Sequence, residues 1–420
     1  MGRSSGGAVE HNTGRSERQG RGHEARPFLD TLFTAGFPSR VVSENPQVAA
    51  AIRPTRVVVD GAALAHNLAE IRRVVGPDKK VLGVVKADAY GHGAAVVGPA
   101  LERAGIDWLG VALVEEGLEL RARGVALPIL VLDGSYGGRY DLLFQAHLTP
   151  VVFLREQLEG LAAAARRAGA TAEAHLKIDT GMGRLGIAVD EVPAFGRAAR
   201  ELGVRLVGLC SHLANADLGD EPMARLQLAR FDQALAAVRE TGHAPSLLHL
   251  ANSAGALEIP EARLNLVRPG LLLYGRAPAP RLAERLSLRP ALRWTTEILQ
   301  LKVLPADYPV SYGGRFRTAR PSRIGVLPVG YADGYRRGFS HKTSVLVEGL
   351  RAPVVGLVTM DLCMIDVTDV PDARTGSEVV LLGRQGGQEI SVGDLAAAGD
   401  TIDYEIFCGI GARVPRVLRP

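Results

Sequence analysis

Short apolar runs alternate with helix-length amphipathic segments over residues 81–268, and this alternation constrains the fold more than any other feature. Strand-like runs separated by helical segments are typical of βαβ units, which assemble into parallel sheets. Eight such units within about 200 residues match the size of a (β/α)8 barrel. The runs lie at residues 81–85, 109–113, 128–132, 149–153, 174–178, 206–211, 247–251 and 264–268. The sequence therefore predicts an α/β fold class with a TIM-type barrel.

A different pattern begins near residue 286, where short β-rich segments are separated by Gly, Pro and Asp turns. Helix-length periodicity is nearly absent there, which predicts a C-terminal all-β domain over residues 286–420. The barrel is assigned to residues 54–285, although its leading strand near residues 55–60 could instead join the β domain. Residues 1–53 form an N-terminal extension. We expect it to be at least partly disordered, because its first half is rich in Gly, Ser and Arg.

Composition excludes several classes of function. The net charge is only +4 over 420 residues, and basic residues interleave with acidic ones, so the basic patch of a nucleic-acid-binding protein is missing. No apolar run reaches the length of a membrane span, and the first residues lack the apolar core of a signal peptide. Cys210, Cys363 and Cys408 are widely spaced, which predicts no disulfide framework and no metal site. We therefore expect a cytoplasmic protein without a membrane or nucleic-acid partner.

Unusual polar residues follow the predicted strands at one end. In barrels of this type the active site lies at the carboxyl ends of the strands, in the loops that follow them. Polar residues scattered over both ends would instead indicate ordinary surface chemistry. The residues concerned are Lys86, Lys177, Asp179, His212, His249, Asn252, Ser253 and Arg268. Their distribution predicts a functional site at this end of the barrel.

Lys86 ends the first apolar run and is followed by a glycine-punctuated loop. A lysine at a strand tip shifts its pKa readily when it is desolvated, and lysine forms Schiff bases with carbonyl cofactors. The alternative is an ordinary surface lysine at the end of a strand. The choice between the two depends on what the neighbouring strands contribute.

The loop at residues 181–186 fits the pattern G-x-G-x-x-G, with Glu201 at about the spacing of a dinucleotide-binding fingerprint. It follows the fifth strand of the barrel instead of opening a leading βαβ unit, which argues against that interpretation. Lys177 and Arg184 also bracket the loop. An arginine on a glycine-rich loop is better suited to holding a carboxylate, with a surface ion pair as the alternative.

The loops after the last two strands carry candidate groups for a phosphate and a ring. Barrels often bind phosphate there, through backbone N–H groups and a hydroxyl such as that of Ser253. Ser253 could also simply cap a helix. Arg268 has no evident structural reason to end a strand and could face the ring of a bound cofactor. In the β domain, Tyr312 precedes two glycines, and it could act as a base only if a nearby cation lowered its pKa.

Together these motifs resemble the alanine racemase family, pyridoxal phosphate enzymes built from a barrel and a β domain. The resemblance covers roughly residues 54–420, and the motifs occur in the family's order. They are VVKADAYGHG at 84–93, KIDTGMGRLG at 177–186, HLANSA at 249–254, VRPG at 267–270, VSYG at 310–313, GYADGYRR at 330–337, TIDYEI at 401–406 and RVPR at 413–416.

The resemblance implies interconversion of L- and D-alanine by two opposing bases, with D-alanine supplied to peptidoglycan. Lys86 would hold pyridoxal 5'-phosphate and act as one base. Tyr312 would be the other, contributed by the partner subunit of a homodimer with shared active sites. The implied cofactor-binding residues are Lys86, Tyr90, His212, Asn252, Ser253, Arg268, Gly270, Leu271 and Tyr404.

Within that set, the resemblance implies that Arg268 contacts the pyridine nitrogen and that His212 tunes Tyr312. Arg184 and the backbone of Met360 would bind the substrate carboxylate. Lys177, Tyr331 and Asp361 would support the site, and Lys177 matches a position that the family often carbamylates. Leu362 departs from the family pattern, which usually has glutamine there. No metal is implied.

Three alternatives share the fold or the cofactor. A racemase acting on serine or a broader set of amino acids would differ mainly in pocket size. A non-catalytic pyridoxal phosphate-binding protein on the barrel alone would lack the β domain and Tyr312. A decarboxylase is possible from the fold, because fold does not determine function, but the motifs around Arg184 and Tyr312 argue against it.

Overall fold

The structure is a computed structural model that describes residues 52–219 and 221–419. The predicted N-terminal extension, residues 1–53, therefore lies outside the described residues except for its last two positions. The described part of the chain contains a barrel and a sheet-rich domain.

Strand β1 (Arg56–Asp60) and helix α1 (Gly61–Val75) come first. The Asp60 carboxylate accepts a hydrogen bond from the Ala63 N–H, which satisfies one of the unpaired donors at the start of the helix. Apolar side chains spaced at helical intervals, among them Leu64, Leu68 and Ile71, are buried on one face of α1.

Eight parallel strands form a nearly closed barrel, which confirms the predicted fold class. Their order in the sheet is β8-β7-β6-β5-β4-β3-β2-β9. Each predicted apolar run overlaps one of them. The strands are β2 (Lys80–Val84), β3 (Trp108–Val111), β4 (Ile129–Val131), β5 (Leu148–Val152), β6 (Ala172–Lys177), β7 (Val204–Cys210), β8 (Leu247–His249) and β9 (Leu266–Val267).

Helical segments connect these strands, and the first of them is a single turn whose residues 87–89 have left-handed backbone angles. They are α2 (Lys86–Tyr90), α3 (Ala94–Arg103), α4 (Val114–Ala122), α5 (Asp141–Gln145), α6 (Arg155–Ala168), α7 (Val192–Glu201), α8 (Glu221–Glu240) and α9 (Ser253–Glu258). Within the described ranges, no helix is long and apolar enough to cross a membrane. Inside the barrel, Leu82, Leu130, Val151 and Leu266 pack together, so the interior is a filled core.

The remaining strands form a mostly antiparallel sheet, and β1 belongs to it, pairing with β10 and, in parallel, with β20. Its order is β11-β14-β17-β16-β15-β18-β10-β1-β20, with β19 beside β18 and a separate hairpin of β12 and β13. The strands are β10 (Leu292–Glu297), β11 (Gln300–Leu304), β12 (Pro309–Val310), β13 (Phe316–Arg317), β14 (Ser322–Leu327), β15 (Ser344–Val347), β16 (Leu350–Val355), β17 (Cys363–Asp366), β18 (Glu378–Gln385), β19 (Gln388–Ile390) and β20 (Arg416–Arg419).

The C-terminal domain consists mostly of strands, as predicted, and it also contains two short helices that the sequence pattern did not indicate. They are α10 (Val392–Ala398), which Ser391 caps, and α11 (Asp403–Cys408). Helical periodicity is reliable only over a window of about 11 residues or more. Helices of this length therefore leave too little pattern in the sequence to be recognised.

The chain turns sharply where it leaves the barrel for the β domain. Gly275 has φ of +84°, and a Cβ built on it would lie 1.9 Å from the Arg289 carbonyl oxygen. We therefore predict that Gly275→Ala is more destabilising than Gly169→Ala by about 1–3 kcal/mol, the usual cost of overpacking. Gly169 is a matched control, because it also has a positive φ (+62°) but open space around it. Urea denaturation of both variants measures the difference, and equal losses would contradict the close packing at Gly275.

Candidate active site

One cavity, with a volume of about 430 Å³, lies at the carboxyl ends of the barrel strands. It brings together most of the predicted site residues from positions far apart in the sequence. Those that line it are Lys86, Tyr90, Lys177, Arg184, His212, Asn252, Ser253, Arg268, Gly270, Leu271 and Tyr404. Tyr312, Tyr331, Met360 and Asp361 are not among its lining residues.

Lys86 enters this cavity from a turn of unusual handedness. The next four residues, 87–90, have φ values of +51° to +54°, although none of them is glycine. The Gly91 N–H donates to the Ala87 carbonyl at 2.9 Å and closes a left-handed helical turn. Each such residue costs about 1–2 kcal/mol, so the surrounding structure must hold the turn in place. The turn directs both Lys86 and Tyr90 into the cavity.

Hydroxyl groups and backbone amides gather beside Tyr90. The Gly270 N–H donates to the Ser253 hydroxyl at 3.0 Å. A Cβ built on Gly270 would lie only 2.4 Å from the Tyr90 hydroxyl, so the absence of a side chain lets this hydroxyl approach the Gly270 backbone. Burial raises the pKa of Tyr90, which keeps its hydroxyl protonated as a donor. Tyr274 and Tyr404 pack on the Tyr90 ring, with centroids 5.1 and 5.7 Å away.

Arg268 is buried and held by a network of backbone and imidazole acceptors. Its guanidinium donates to the His249 carbonyl at 2.7 Å and to the Ser211 carbonyl at 2.6 Å. It also contacts Nδ1 of His249 at 3.0 Å and Nδ1 of His212 at 3.3 Å. Because a guanidinium can only donate, both Nδ1 atoms accept, and each of these neutral rings carries its proton on Nε2. His249 Nε2 then donates to Nδ1 of His175, 2.7 Å away.

Burial and the positive charge of Arg268 keep these histidines neutral. Together they lower the pKa of His212 to about 2 and that of His175 to about 3. They also hold the pKa of His249 well below its usual range. Burial lowers the pKa of Lys177, and the charges of Arg268 and Arg184 lower it further. The cavity is therefore rich in cations but holds its imidazoles uncharged.

The glycine-rich loop that carries Arg184 is folded around Asp179. The Asp179 carboxylate accepts hydrogen bonds from the N–H groups of Gly181 and Met182, both at 2.9 Å, and from Gly183. The loop thus closes on a carboxylate of its own chain and does not open a helix, as a dinucleotide-binding turn would. Among the residues that the structure describes, no carboxylate pairs with Arg184, so its guanidinium is available to an anion in the cavity.

Two residues that shape the site, Gln227 and Tyr274, are not among those predicted from the sequence. Gln227 Nε2 donates to the His212 carbonyl at 2.8 Å, and its Oε1 accepts from the Ala214 N–H at 2.9 Å. The sequence does carry a signal for Gln227, because this polar residue occupies a position on the buried, otherwise apolar face of α8. The Tyr274 hydroxyl donates to the Val84 carbonyl at 2.9 Å, which anchors the end of the strand before Lys86.

Tyr404 is the one predicted β-domain residue that lines the cavity, whereas Tyr312, Tyr331, Met360 and Asp361 lie on loops outside it. Tyr312 is 73% exposed and Met360 is 54% exposed. The Ser311 hydroxyl donates to the Leu357 carbonyl at 2.8 Å, and the Tyr331 N–H donates to the Thr359 carbonyl at 3.0 Å. These hydrogen bonds join the three loops that carry Tyr312, Tyr331 and Met360.

In the described part of the chain, no group of three or more His, Cys, Asp or Glu side chains is placed to hold a metal ion. Cys210 and Cys363 are buried, and Cys408 is exposed; all three are free thiols.

Comparison with known proteins identifies similar sequences and structures. Residues 59–278 match the family profile "Alanine racemase, N-terminal domain", and residues 291–418 match "Alanine racemase, C-terminal domain". An alanine racemase of Symbiobacterium thermophilum is 46% identical over 366 residues, covering 87% of this chain and 97% of that protein. The alanine racemase structure from Streptomyces lavendulae has a TM-score of 0.82 and 37% identity, covering 88% of this chain and 97% of that one. The structure of the Bartonella henselae alanine racemase, with covalently bound pyridoxal phosphate, has a TM-score of 0.76 and 29% identity, covering 87% of this chain and 99% of that one.

The buried neutral histidines predict a loss of stability in mild acid. His92 is also fully buried, which lowers its pKa to about 4. Below pH 6.5, these histidines bind protons in the unfolded chain but stay neutral in the folded one. The free energy of unfolding is therefore at its full value above that pH and declines as the pH falls. Each histidine contributes a slope of about 1.4 kcal/mol per pH unit. Urea midpoints measured between pH 7.5 and 5 test this. In His92→Asn, the free energy of unfolding should depend less steeply on pH, by the contribution of one histidine. A midpoint that does not change over this range would contradict the prediction.

Proposed function

The chain belongs to the alanine racemase family, and we propose that it interconverts L- and D-alanine with pyridoxal phosphate as cofactor. The observation that carries the proposal is the convergence of Lys86, Arg268 and Arg184 in one cavity. These groups suit a carbonyl, a ring nitrogen and a carboxylate, respectively. We infer that the reaction takes place in the cytoplasm and that its D-alanine is used for peptidoglycan.

The residues of the cavity fit the proposed cofactor. The hydroxyls of Tyr90 and Ser253, which meet at the Gly270 backbone, form with nearby backbone amides a donor set for a phosphate dianion. Asn252, Leu271 and Tyr404 complete this end of the cavity. Arg268 would face the ring nitrogen, and Lys86 would bind the aldehyde carbon. When bound, pyridoxal phosphate supplies an electron sink for a carbanion at Cα.

Inversion of a stereocentre by proton exchange requires a base on each face of a planar carbon. In our proposal Lys86 holds or releases the proton on one face. The phenol of Tyr312, contributed by a partner subunit, holds or releases the proton on the other face. His212 can donate from Nε2 while it accepts from Arg268, so it can orient the Tyr312 oxygen without adding charge. Arg184 and the Met360 backbone would fix the substrate carboxylate, with Lys177, Tyr331 and Asp361 supporting them.

Arg268 also limits the chemistry that the cavity supports. Its guanidinium is anchored to backbone carbonyls and does not readily release a proton. A ring nitrogen facing it would receive a hydrogen bond but not a full proton, which weakens electron withdrawal. We propose that this arrangement suppresses transamination, which competes with racemisation when the carbanion is long-lived.

We propose a homodimer, because the second proposed base does not line the cavity of its own chain. Tyr312 and Met360 are exposed on the β domain and absent from the lining of their own cavity. The loops around them would complete the cavity of a partner subunit. By two-fold symmetry, the partner's loops would complete the cavity of this chain. The similarity to alanine racemases over most of the chain favours alanine over serine as substrate and favours catalysis over mere cofactor binding.

We expect borohydride reduction of the protein incubated with pyridoxal phosphate to fix a pyridoxyl group on Lys86, because Schiff-base formation needs an amine in the cavity. Peptide mass analysis identifies the modified residue, and Lys86→Arg is the control that keeps the charge. Assays with L-alanine, L-serine and L-lysine then rank the substrates. An adduct at another lysine, or faster racemisation of serine than of alanine, would overturn the proposed function.

Tyr312→Phe should lower α-proton removal from one enantiomer of alanine by at least about 100-fold, the usual contribution of a general base. Proton removal from the other enantiomer, which uses Lys86, should fall much less. Deuterium exchange at Cα, measured separately for each enantiomer, provides the test. Tyr308→Phe is a matched control, since it removes an exposed phenol from the same region of the β domain. Equal residual exchange from both enantiomers in the Tyr312 variant would contradict a two-base reaction.

A further inference from the structure

Arg416 begins the last strand of the β domain, and its side chain is buried. Within the described ranges its guanidinium pairs with no carboxylate, and backbone carbonyl oxygens accept its hydrogen bonds instead. Nη1 donates to Gly411 and Val414, and Nη2 donates to Ile410, each at 2.6 Å. A buried cation without a carboxylate is costly compared with an apolar side chain. Binding to these three carbonyls orders a single loop of the β domain.

The fourth contact leaves that loop and reaches the barrel. Arg416 Nε donates to the Gly91 carbonyl at 3.0 Å. Gly91 directly follows the left-handed turn at residues 87–90, and Lys86 directly precedes it. One planar guanidinium therefore joins the end of the β domain to the strained segment that carries the proposed Schiff-base lysine.

The other supports of the turn come from the barrel. The Glu116 carboxylate accepts from the Ala87 N–H at 2.6 Å, and the Asp88 carboxylate accepts from the Ala94 N–H at 2.6 Å. His92 Nδ1 donates to the Tyr90 carbonyl at 2.9 Å. These bonds hold the beginning and the middle of the segment, whereas Arg416 holds its end.

Close packing against the β domain also restrains the segment at Gly91 and Gly93. A Cβ built on Gly91 would lie 2.0 Å from the Phe407 carbonyl oxygen, and one built on Gly93 would lie 2.9 Å from Cβ and Cγ of Arg416. The segment therefore lies directly against helix α11, which carries Tyr404, and against the stem of Arg416. Movement at either glycine would have to displace the β domain.

We propose that Arg416 is a positioning residue that holds the left-handed turn and thereby fixes the place of Lys86 and Tyr90 in the cavity. This inference rests on the proposed function for the role of Lys86, but the ordering of the turn can be measured without catalysis. Through Arg416, the position of Lys86 in the barrel depends on the β domain of the same chain.

The test compares three single variants of the full chain. Arg416→Met keeps most of the alkyl stem but removes every donor, and Arg416→Lys keeps the charge but cannot span both segments. Arg419→Met is the matched control, because Arg419 lies on the same strand but pairs with Asp60, away from the turn. Hydrogen exchange is followed at the hydrogen-bonded amides of Ala89, Gly91 and Gly93.

We expect Arg416→Met to speed exchange at these three amides at least about tenfold, the effect of losing one charge-assisted hydrogen bond. Arg416→Lys should give an intermediate rate, and Arg419→Met the wild-type rate. The dissociation constant for pyridoxal phosphate should rise about tenfold in Arg416→Met, and kcat for alanine should fall more than KM rises. Wild-type exchange at the turn in both Arg416 variants, with unchanged cofactor affinity, would overturn the inference.

Native-state exchange of the wild-type chain in increasing urea tests the same inference if the variants do not fold. The amides of residues 89–93 and 411–414 should become exposed at the same urea concentration, as one cooperative unit. Opening of the turn while residues 411–414 stay protected would overturn the role of Arg416. The result is independent of the proposed function, which fails separately if the wild-type chain does not racemise alanine.

Discussion

The burial of Arg268 at the end of the last barrel strand is the constraint on which the site depends. A guanidinium in this position needs acceptors, and backbone carbonyls together with two imidazole nitrogens provide them. Those contacts determine which nitrogen of His212 and of His249 carries the proton, and they keep both rings neutral. The polarity of the cavity thus follows from one cation and from the carbonyls that hold it.

A second constraint is the left-handed turn after Lys86. Four consecutive non-glycine residues with positive φ store strain that only tertiary contacts can offset. The barrel supplies some of these contacts and the β domain supplies another through Arg416. The two parts of the chain are therefore joined at the point where the proposed chemistry occurs. Strained backbone at a functional site is consistent with a lysine whose position must be defined closely.

Much of the fold was predictable because it depends on repeated local pattern. Eight apolar runs gave eight strands, and the polar residues after them converge on one cavity. The short helices α10 and α11 were not predictable, because they are shorter than the window over which periodicity is recognised. Gln227 was missed for a different reason. Its role comes from contacts with Thr180, His212 and Ala214, which lie on loops distant from it in the sequence.

The sequence by itself determined the family, the order of the motifs and the residue types available for the chemistry, since these follow from local pattern and side-chain identity. It also separated the barrel residues from those of the β domain. Only the tertiary structure decided the tautomers of the histidines, the left-handed path of residues 87–90 and the exposure of Tyr312 outside its own cavity. The reason is that each of these depends on atoms brought close by folding. Hydrogen-bond direction, desolvation and steric contact act over a few ångströms in space, whatever the separation along the chain.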